Sequence, residues 1–226
     1  MKIPLVLISG LLSNEFLWKH QAKHLSEIAE IHIFSPTENS SEKMIEHILK
    51  TAPPKFALAG HSMRGWLCFE VLRAAPSRVS KVCLINTSAR DDSMAKRENR
   101  QKMIKRSREG QFQEITKEIS DFFIQNPLLK QQVEKMFIDV GCHSFINQEE
   151  AMINRNPSEP ILPTIRCPAL VIHAAQDQNF TLEEHIEMVE KIPNAKLAII
   201  EDSGHMSPLE MPQAVTTLLR FWLSYF

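Results

Sequence analysis

Short apolar runs without polar alternation recur along the chain, separated by stretches with helical periodicity. The runs cover residues 3–9, 31–34, 56–59, 79–86, 167–174 and 196–201. The helical stretches cover residues 16–29, 40–51, 63–74, 182–192 and 209–226. Strands that are apolar on both faces fit a parallel sheet with helices on both sides, because half-exposed strands would alternate. The sequence therefore predicts an α/β protein with a mostly parallel sheet of about six strands.

One long interval interrupts this pattern. No strand candidate occurs from about residue 89 to residue 160, where a highly charged stretch is followed by helical periodicity over 112–125 and 126–140. A proline-rich stretch over 156–163 marks the return to the sheet pattern. We interpret residues 1–88 and 161–226 as one α/β core and residues 89–160 as an inserted helical cap.

Charge and cysteine usage exclude several classes of protein. Lys and Arg total 26 and Asp and Glu total 27, a net charge of -1, whereas nucleic-acid binders are usually strongly basic. No apolar run has the ~20 residues of a membrane span, and we interpret the apolar N-terminus as a buried strand rather than a signal peptide. The 4 cysteines form no C-x-x-C pair, which favours a reducing, cytoplasmic location. The expected partner is a small-molecule substrate.

The most specific local motif is Ala59-Gly60-His61-Ser62-Met63-Arg64-Gly65, which lies between a predicted strand and a predicted helix. A serine in a sharp strand-to-helix turn is the context of a nucleophile elbow, in which Oγ projects above the edge of the sheet. Small neighbours are needed there because the strand and the helix approach each other closely. The motif predicts that Ser62 is a nucleophile.

A serine needs a base and a group that orients the base. Asp177 follows the predicted strand 167–174, and His205 follows the last strand in Asp202-Ser203-Gly204-His205. Open parallel sheets place their sites at the carboxyl ends of their strands, so Ser62, Asp177 and His205 should meet at one edge. Asp202 is the rival orienting group, since it lies three residues before His205.

Three stretches outside the predicted cap carry a family resemblance: GHSMRGWLCFEVLRAAPSRVSKVCLINTSA, PALVIHAAQDQNF and IPNAKLAIIEDSGHMSPLEMPQAV. With the order Ser, Asp, His, they resemble α/β-hydrolase-fold proteins, most closely small bacterial esterases and enol-lactone hydrolases with a helical cap. The resemblance implies that Ser62 attacks the substrate, His205 acts as base and Asp177 orients it.

The same resemblance implies an oxyanion hole formed by the backbone N–H groups of Leu11 and Met63. It implies hydrolysis of a small ester-like substrate through an acyl-enzyme, as in carboxylesterases, with no metal or organic cofactor. Lactone, thioester, C–C or iminopeptidase hydrolysis on the same triad remains an alternative, because the fold does not separate these reactions.

Two positions depart from the family pattern. Arg64 stands where the G-x-S-x-G motif has its second glycine, with Gly65 one residue later, and Ser9 stands where a histidine usually precedes the loop glycine. Arg64 either crowds the elbow or points away from it. A second alternative follows, in which the chain is a non-catalytic binding protein with a hydrolase fold.

Two further side chains are candidates for substrate binding. Arg155 lies where the cap returns to the core and either holds an anionic group of the substrate or forms a structural ion pair. His61 adjoins the nucleophile and is a neighbour of the site rather than a base. The basic stretch from Lys96 to Arg108 is either a solvated helix of the cap or a contact for an anionic partner or membrane surface.

Overall fold

The sheet of this protein is fully parallel. In the computed structural model, which describes residues 2–124 and 126–226, its strands are Ile3–Ile8 (β1), Ala29–Phe34 (β2), Phe56–His61 (β3), Val79–Ile85 (β4), Ala169–Ala174 (β5) and Ala195–Ile200 (β6). Their spatial order is β2-β1-β3-β4-β5-β6, and each neighbouring pair is parallel. The predicted α/β architecture with six strands is confirmed.

Helices follow the strands on both faces. They are Lys19–Leu25 (α1), Ser41–Thr51 (α2), Gly65–Ala74 (α3), Met94–Arg108 (α4), Phe112–Phe123 (α5), Pro127–Val140 (α6), Cys142–Ile153 (α7), Leu182–Lys191 (α8), Ser207–Glu210 (α9) and Pro212–Tyr225 (α10). Short 3-10 helices precede α1 at Glu15–Trp18 and α3 at Ser62–Arg64.

Strand β1 shows why the strands lack alternation. Successive side chains of a strand point to opposite faces. Val6 and Ile8 pack into the apolar cluster that includes residues of α2, α3 and α8, whereas Leu5 and Leu7 pack into the cluster that includes residues of α1 and α10. Both faces of the sheet are therefore buried under helices.

The strand order reverses next to β1. The chain passes from β1 to β2 on one side and then continues with β3 on the other side of β1. The loops that leave β1 and β3 therefore run to opposite faces of the sheet and leave a crevice between them at its carboxyl edge. Ligands usually bind in this crevice in open α/β sheets. Leu11 lies in the loop after β1, and Ser62 follows β3.

Two predicted helices have different bounds in the structure. The helix predicted over 16–29 ends at Leu25, where the Ile28 N–H donates to the Leu25 carbonyl, and Ala29 already begins β2. Ile28 and Ala29 fit the helical period, but the sheet uses them, since the Ile3 N–H donates to Ile28. The helix predicted over 209–226 is two helices, because Pro212 starts a new one.

Four helices, α4 to α7, occupy the interval between β4 and β5. Their buried apolar side chains include Ile115, Val133, Phe137 and Phe145. These residues join the cluster on the α1 and α10 face. The interval is helical as expected, and its division from the core at residues 89 and 160 stays a prediction. Within the described residues, no helix is both long and apolar enough to cross a bilayer.

Candidate active site

The turn after β3 holds Ser62 in a backbone conformation that few residues adopt. Its φ is +57°, in the left-handed region. Close packing surrounds the turn: a Cβ atom at Gly60 would lie 2.7 Å from the Arg64 carbonyl oxygen, and one at Gly65 would lie 2.5 Å from the Thr87 side chain. The local sequence thus supplies glycine where strand and helix meet and places the serine at the carboxyl end of β3.

The structure brings Ser62, His205 and Asp177 into one hydrogen-bonded chain. Ser62 Oγ lies 2.6 Å from His205 Nε2, and His205 Nδ1 lies 2.9 Å from Asp177 Oδ2. A carboxylate only accepts hydrogen bonds, so Nδ1 carries the proton and Nε2 is free to accept from the serine hydroxyl. All three side chains are buried. Asp202, the rival orienting group, is exposed.

The environment of Asp177 favours its ionised form. Burial alone would raise the pKa of this carboxyl. The charge and hydrogen bond of His205, together with the Asn179 N–H at 2.8 Å from Oδ1, outweigh burial and hold the pKa below its usual value. Asp177 is therefore an anion at neutral pH. A carboxylate in this position keeps the imidazole proton on Nδ1 and would stabilise an imidazolium.

The loop that carries His205 is held by residues that sequence reasoning missed. The Asn86 side-chain amide donates to the His205 carbonyl at 2.7 Å and accepts from the Ala174 N–H at 3.0 Å. The Glu210 carboxylate accepts from the N–H groups of Gly204 and Met206 at 3.1 and 2.8 Å. These bonds fix both ends of the turn. Asn86, the polar end of an apolar strand, was the one signal in the sequence; nothing singled out Glu210.

His61 lies behind the site. Its Nε2 donates to the His205 carbonyl at 2.8 Å, and the ring is fully buried and absent from the cavity wall. Burial and the neighbouring His205 lower the pKa of His61 to about 3, so the ring is neutral at physiological pH. The position fits a group that supports the His205 loop, while contact with substrate stays a prediction.

Two backbone N–H groups border the serine. The Leu11 N–H donates to no protein group in the described part of the chain, and the Met63 N–H lies in the first turn of a helix, where no intrahelical acceptor exists. Gly10 allows the two loops to approach, because a Cβ atom there would lie 3.2 Å from Ser62 Cβ. Leu11 and Met63 line the same cavity as Ser62.

That cavity has a volume of about 390 Å³ and lies between the serine turn and the helices α4, α5 and α7. The rings of Phe123 and Phe180 pack near the imidazole, with centroids 4.3 and 5.8 Å from that of His205. Aromatic rings that displace water from a site strengthen the electrostatic interactions within it.

Arg155 lines the cavity as part of a buried network of ions. Its Nη2 donates to Asp92 Oδ1 at 3.1 Å and to the Arg90 carbonyl at 2.9 Å. Asp92 also accepts from Arg100 at 2.6 Å, and Arg100 donates to Glu149 at 2.8 Å. The ion pair that the sequence offered as one interpretation is present, and a role of Arg155 in holding substrate stays a prediction.

Several basic residues of α4 have acidic partners within residues 89–160. Beside Arg100, Arg106 pairs with Glu118 at 2.7 Å and Arg108 with Glu150 at 2.6 Å. These exposed pairs contribute little stability individually. They neutralise part of the charge that an anionic partner or membrane would use, which favours a solvated helix.

Comparison with known proteins supports the fold. No family model matches the chain. It is 25% identical over 245 residues to the (E)-2-((N-methylformamido)methylene)succinate hydrolase of Acinetobacter baylyi, covering 97% of this chain and 90% of that protein. A thermophilic esterase from Thermogutta terrifontis, solved with malate bound, superposes with a TM-score of 0.89 at 25% identity over 99% of this chain and 90% of the esterase.

The enol-lactonase of Burkholderia xenovorans LB400 superposes with a TM-score of 0.85 at 20% identity over 99% of this chain and 92% of the lactonase. The chain has the α/β-hydrolase fold. Its sheet, its helices and the turn at Ser62 have the arrangement expected of that fold.

Arg64 is the residue at which this chain departs from the elbow pattern, and its side chain points away from the cavity. It is fully buried, and its Nη2 donates to the Pro36 carbonyl in the loop after β2. Its Nε and Nη1 have no hydrogen-bond partner among the described residues. Burial lowers the pKa of Arg64 to about 9, so the guanidinium remains a cation at neutral pH.

We expect Arg64→Gly to destabilise the protein without improving any activity. Deleting a fully buried side chain leaves a cavity, which typically costs about 2–5 kcal/mol of unfolding free energy. Arg64→Met, which fills the same space without a charge, should lose less. Chemical denaturation of both variants measures the difference. A gain in turnover of Arg64→Gly at unchanged stability would show instead that Arg64 obstructs the elbow.

Proposed function

We propose that the chain is a serine hydrolase that cleaves a small ester-like substrate through an acyl-enzyme, with Ser62, His205 and Asp177 as its catalytic triad. The observation that carries the proposal is the buried chain of hydrogen bonds from Ser62 Oγ through His205 to Asp177 at one end of a cavity. Nucleophile, base and orienting carboxylate stand in the order that acyl transfer requires.

In the proposed mechanism the substrate carbonyl lies over Ser62 with its oxygen directed at the N–H groups of Leu11 and Met63. His205 Nε2 accepts the serine proton as Oγ attacks, and the resulting imidazolium is stabilised by Asp177. The two N–H groups stabilise the oxyanion, each contributing about 3–4 kcal/mol to the transition state. His205 then protonates the leaving group and activates the water that releases the acyl group from the serine.

We propose that residues 89–160 form the cap of this core, enclosing the acyl group. The cavity wall in this region carries the guanidinium groups of Arg100 and Arg155 beside the carboxylates of Asp92 and Glu149. The A. baylyi relative acts on a succinate derivative, and the T. terrifontis esterase was solved with malate. A short acyl group with a carboxylate near Arg155 is therefore the substrate class that we propose.

A labelling experiment tests the proposed function without knowledge of the natural substrate. A fluorophosphonate should modify Ser62 alone, as located by peptide mass spectrometry. The labelled protein should then fail to hydrolyse p-nitrophenyl esters. An acyl series from acetate to octanoate, together with the hemisuccinate, gives the size and charge of the pocket. Folded protein that takes no label and turns over no ester would favour the alternative of a non-catalytic binding protein.

A further inference from the structure

Helix α7 reaches from the helical region into the loop that follows β1. The Leu12 N–H donates to Gln148 Oε1 at 2.9 Å, across 136 positions of the sequence. Gln148 is 1% exposed and Leu12 is fully buried. The bond joins α7 directly to the loop, and within the described residues the Leu12 N–H has no other side-chain acceptor.

The loop needs such a connection because Leu12 has an unfavourable backbone. Its φ is +53°, and a leucine in the left-handed region costs about 1 kcal/mol or more. The Ser13 N–H closes the turn onto the Gly10 carbonyl at 3.2 Å, and the Ser13 hydroxyl donates to the Leu11 carbonyl at 3.1 Å. Gln148 accepts from the Leu12 N–H and thereby helps to hold the strained conformation.

The orientation of the Gln148 amide follows from the same contact. Leu12 offers a donor, so the oxygen and not the nitrogen of the amide must face it. Nε2 is then left buried without a hydrogen-bond partner among the described residues. An unpaired buried donor costs about 1–3 kcal/mol, which an apolar side chain at this position would avoid. A residue selected for packing alone would not carry that cost.

We propose that Gln148 is a positioning residue for the oxyanion hole. By fixing the Leu12 peptide, it sets the direction of the adjacent Leu11 N–H, the group left free at the cavity. The hole is then complete only when α7 is seated against the loop. This inference rests on the proposed function, since it assumes that the Leu11 N–H stabilises an oxyanion.

Two variants of Gln148 test the proposal. Gln148→Met keeps the length of the side chain and loses the acceptor, and Gln148→Asn keeps the amide but falls short by about 1.5 Å, one C–C bond. Either one suffices if the other does not fold. Misplacing a catalytic donor by an ångström can cost about 100-fold, so we expect kcat for p-nitrophenyl esters to fall about 10- to 100-fold and KM to change less than about 3-fold.

The matched control is Asn147→Ala, one position earlier on α7. Asn147 Nδ2 donates to the Thr37 carbonyl at 2.9 Å, so the control removes a bond from the same helix to a different loop. We expect its kcat to stay within about 2-fold of that of the unmodified protein. Inhibition by a trifluoromethyl ketone, which forms a tetrahedral oxyanion on the serine, should weaken in Gln148→Met in proportion to the loss of kcat/KM.

Hydrogen exchange of the loop gives a readout that does not require turnover. The Leu12 amide should exchange faster in Gln148→Met than in Asn147→Ala. Faster exchange with unchanged kcat and unchanged ketone affinity would overturn the proposal while the proposed function stands. Unmodified protein without labelling or turnover would overturn both, and the exchange data would still show whether Gln148 holds the loop.

Discussion

Ser62→Ala should reduce ester turnover by at least 1,000-fold, and by about 10⁶-fold if the triad acts as one unit. The substitution removes Oγ, the atom that lies 2.6 Å from His205 Nε2, and no other hydroxyl in the described contacts meets that nitrogen. Only binding and the oxyanion hole then remain to assist attack by water. The fold should survive, because losing one hydrogen bond typically costs about 1 kcal/mol.

The control for this variant is Ser120→Ala. Ser120 is a buried serine of α5 whose hydroxyl donates to the Lys117 carbonyl at 2.9 Å, and it does not line the cavity. The same chemical change is thus made away from the site and should leave turnover unchanged. Steady-state rates and melting temperatures of the two variants are compared. If Ser62→Ala kept a tenth of the activity, the serine would not be the nucleophile.

The second large effect is expected from Asp177→Asn, which should lower kcat about 10⁴-fold. The asparagine amide can donate its N–H₂ group to His205 Nδ1, so that the imidazole proton moves to Nε2. A protonated Nε2 cannot accept the hydrogen of the Ser62 hydroxyl. Geometry is nearly preserved, so KM and the melting temperature should change far less than kcat. Rates measured over a pH series give the comparison.

Asp202→Asn is the matched control for Asp177→Asn. The sequence offered both carboxylates as orienting groups, and the structure places Asp202 at the surface while Asp177 lies 2.9 Å from the imidazole. We expect Asp202→Asn to keep full activity. Equal losses in both variants would contradict the assignment of Asp177 and point to a general effect of charge on His205.

The core of the site was predictable because parallel strands impose it. A residue in the loop after a buried parallel strand lies at the carboxyl edge of the sheet, so the sequence predicted that Ser62, Asp177 and His205 would lie at the same edge. The path of Arg64 could not be predicted, since it depends on the Pro36 carbonyl 28 positions away. The contact of Gln148 with Leu12 could not be predicted either, because a polar residue on an amphipathic helix gives no sign of a partner distant in the sequence.

The predicted end of the first helix was wrong for a related reason. Ile28 and Ala29 continue the period of the first helix, yet Ile28 binds the start of β1 and Ala29 opens β2. A local pattern does not show which of two competing hydrogen-bond partners a segment will take. Tertiary pairing decided it here.

Strands β4 and β5 are neighbours in the sheet, and this affects how the helical region between them can be replaced. The two strands pair directly and in parallel, Val82 with Ala169 and Ile85 with Ile172, so the helical region leaves the carboxyl end of β4 and the chain returns to the amino end of the neighbouring β5. A segment that connects two adjacent strands can be exchanged for another of different length at only two junctions. A graft between these strands would keep Ser62, His205 and Asp177 and change the residues that line the cavity. If the proposed role of Gln148 holds, such a graft would need to present an acceptor to the Leu12 N–H.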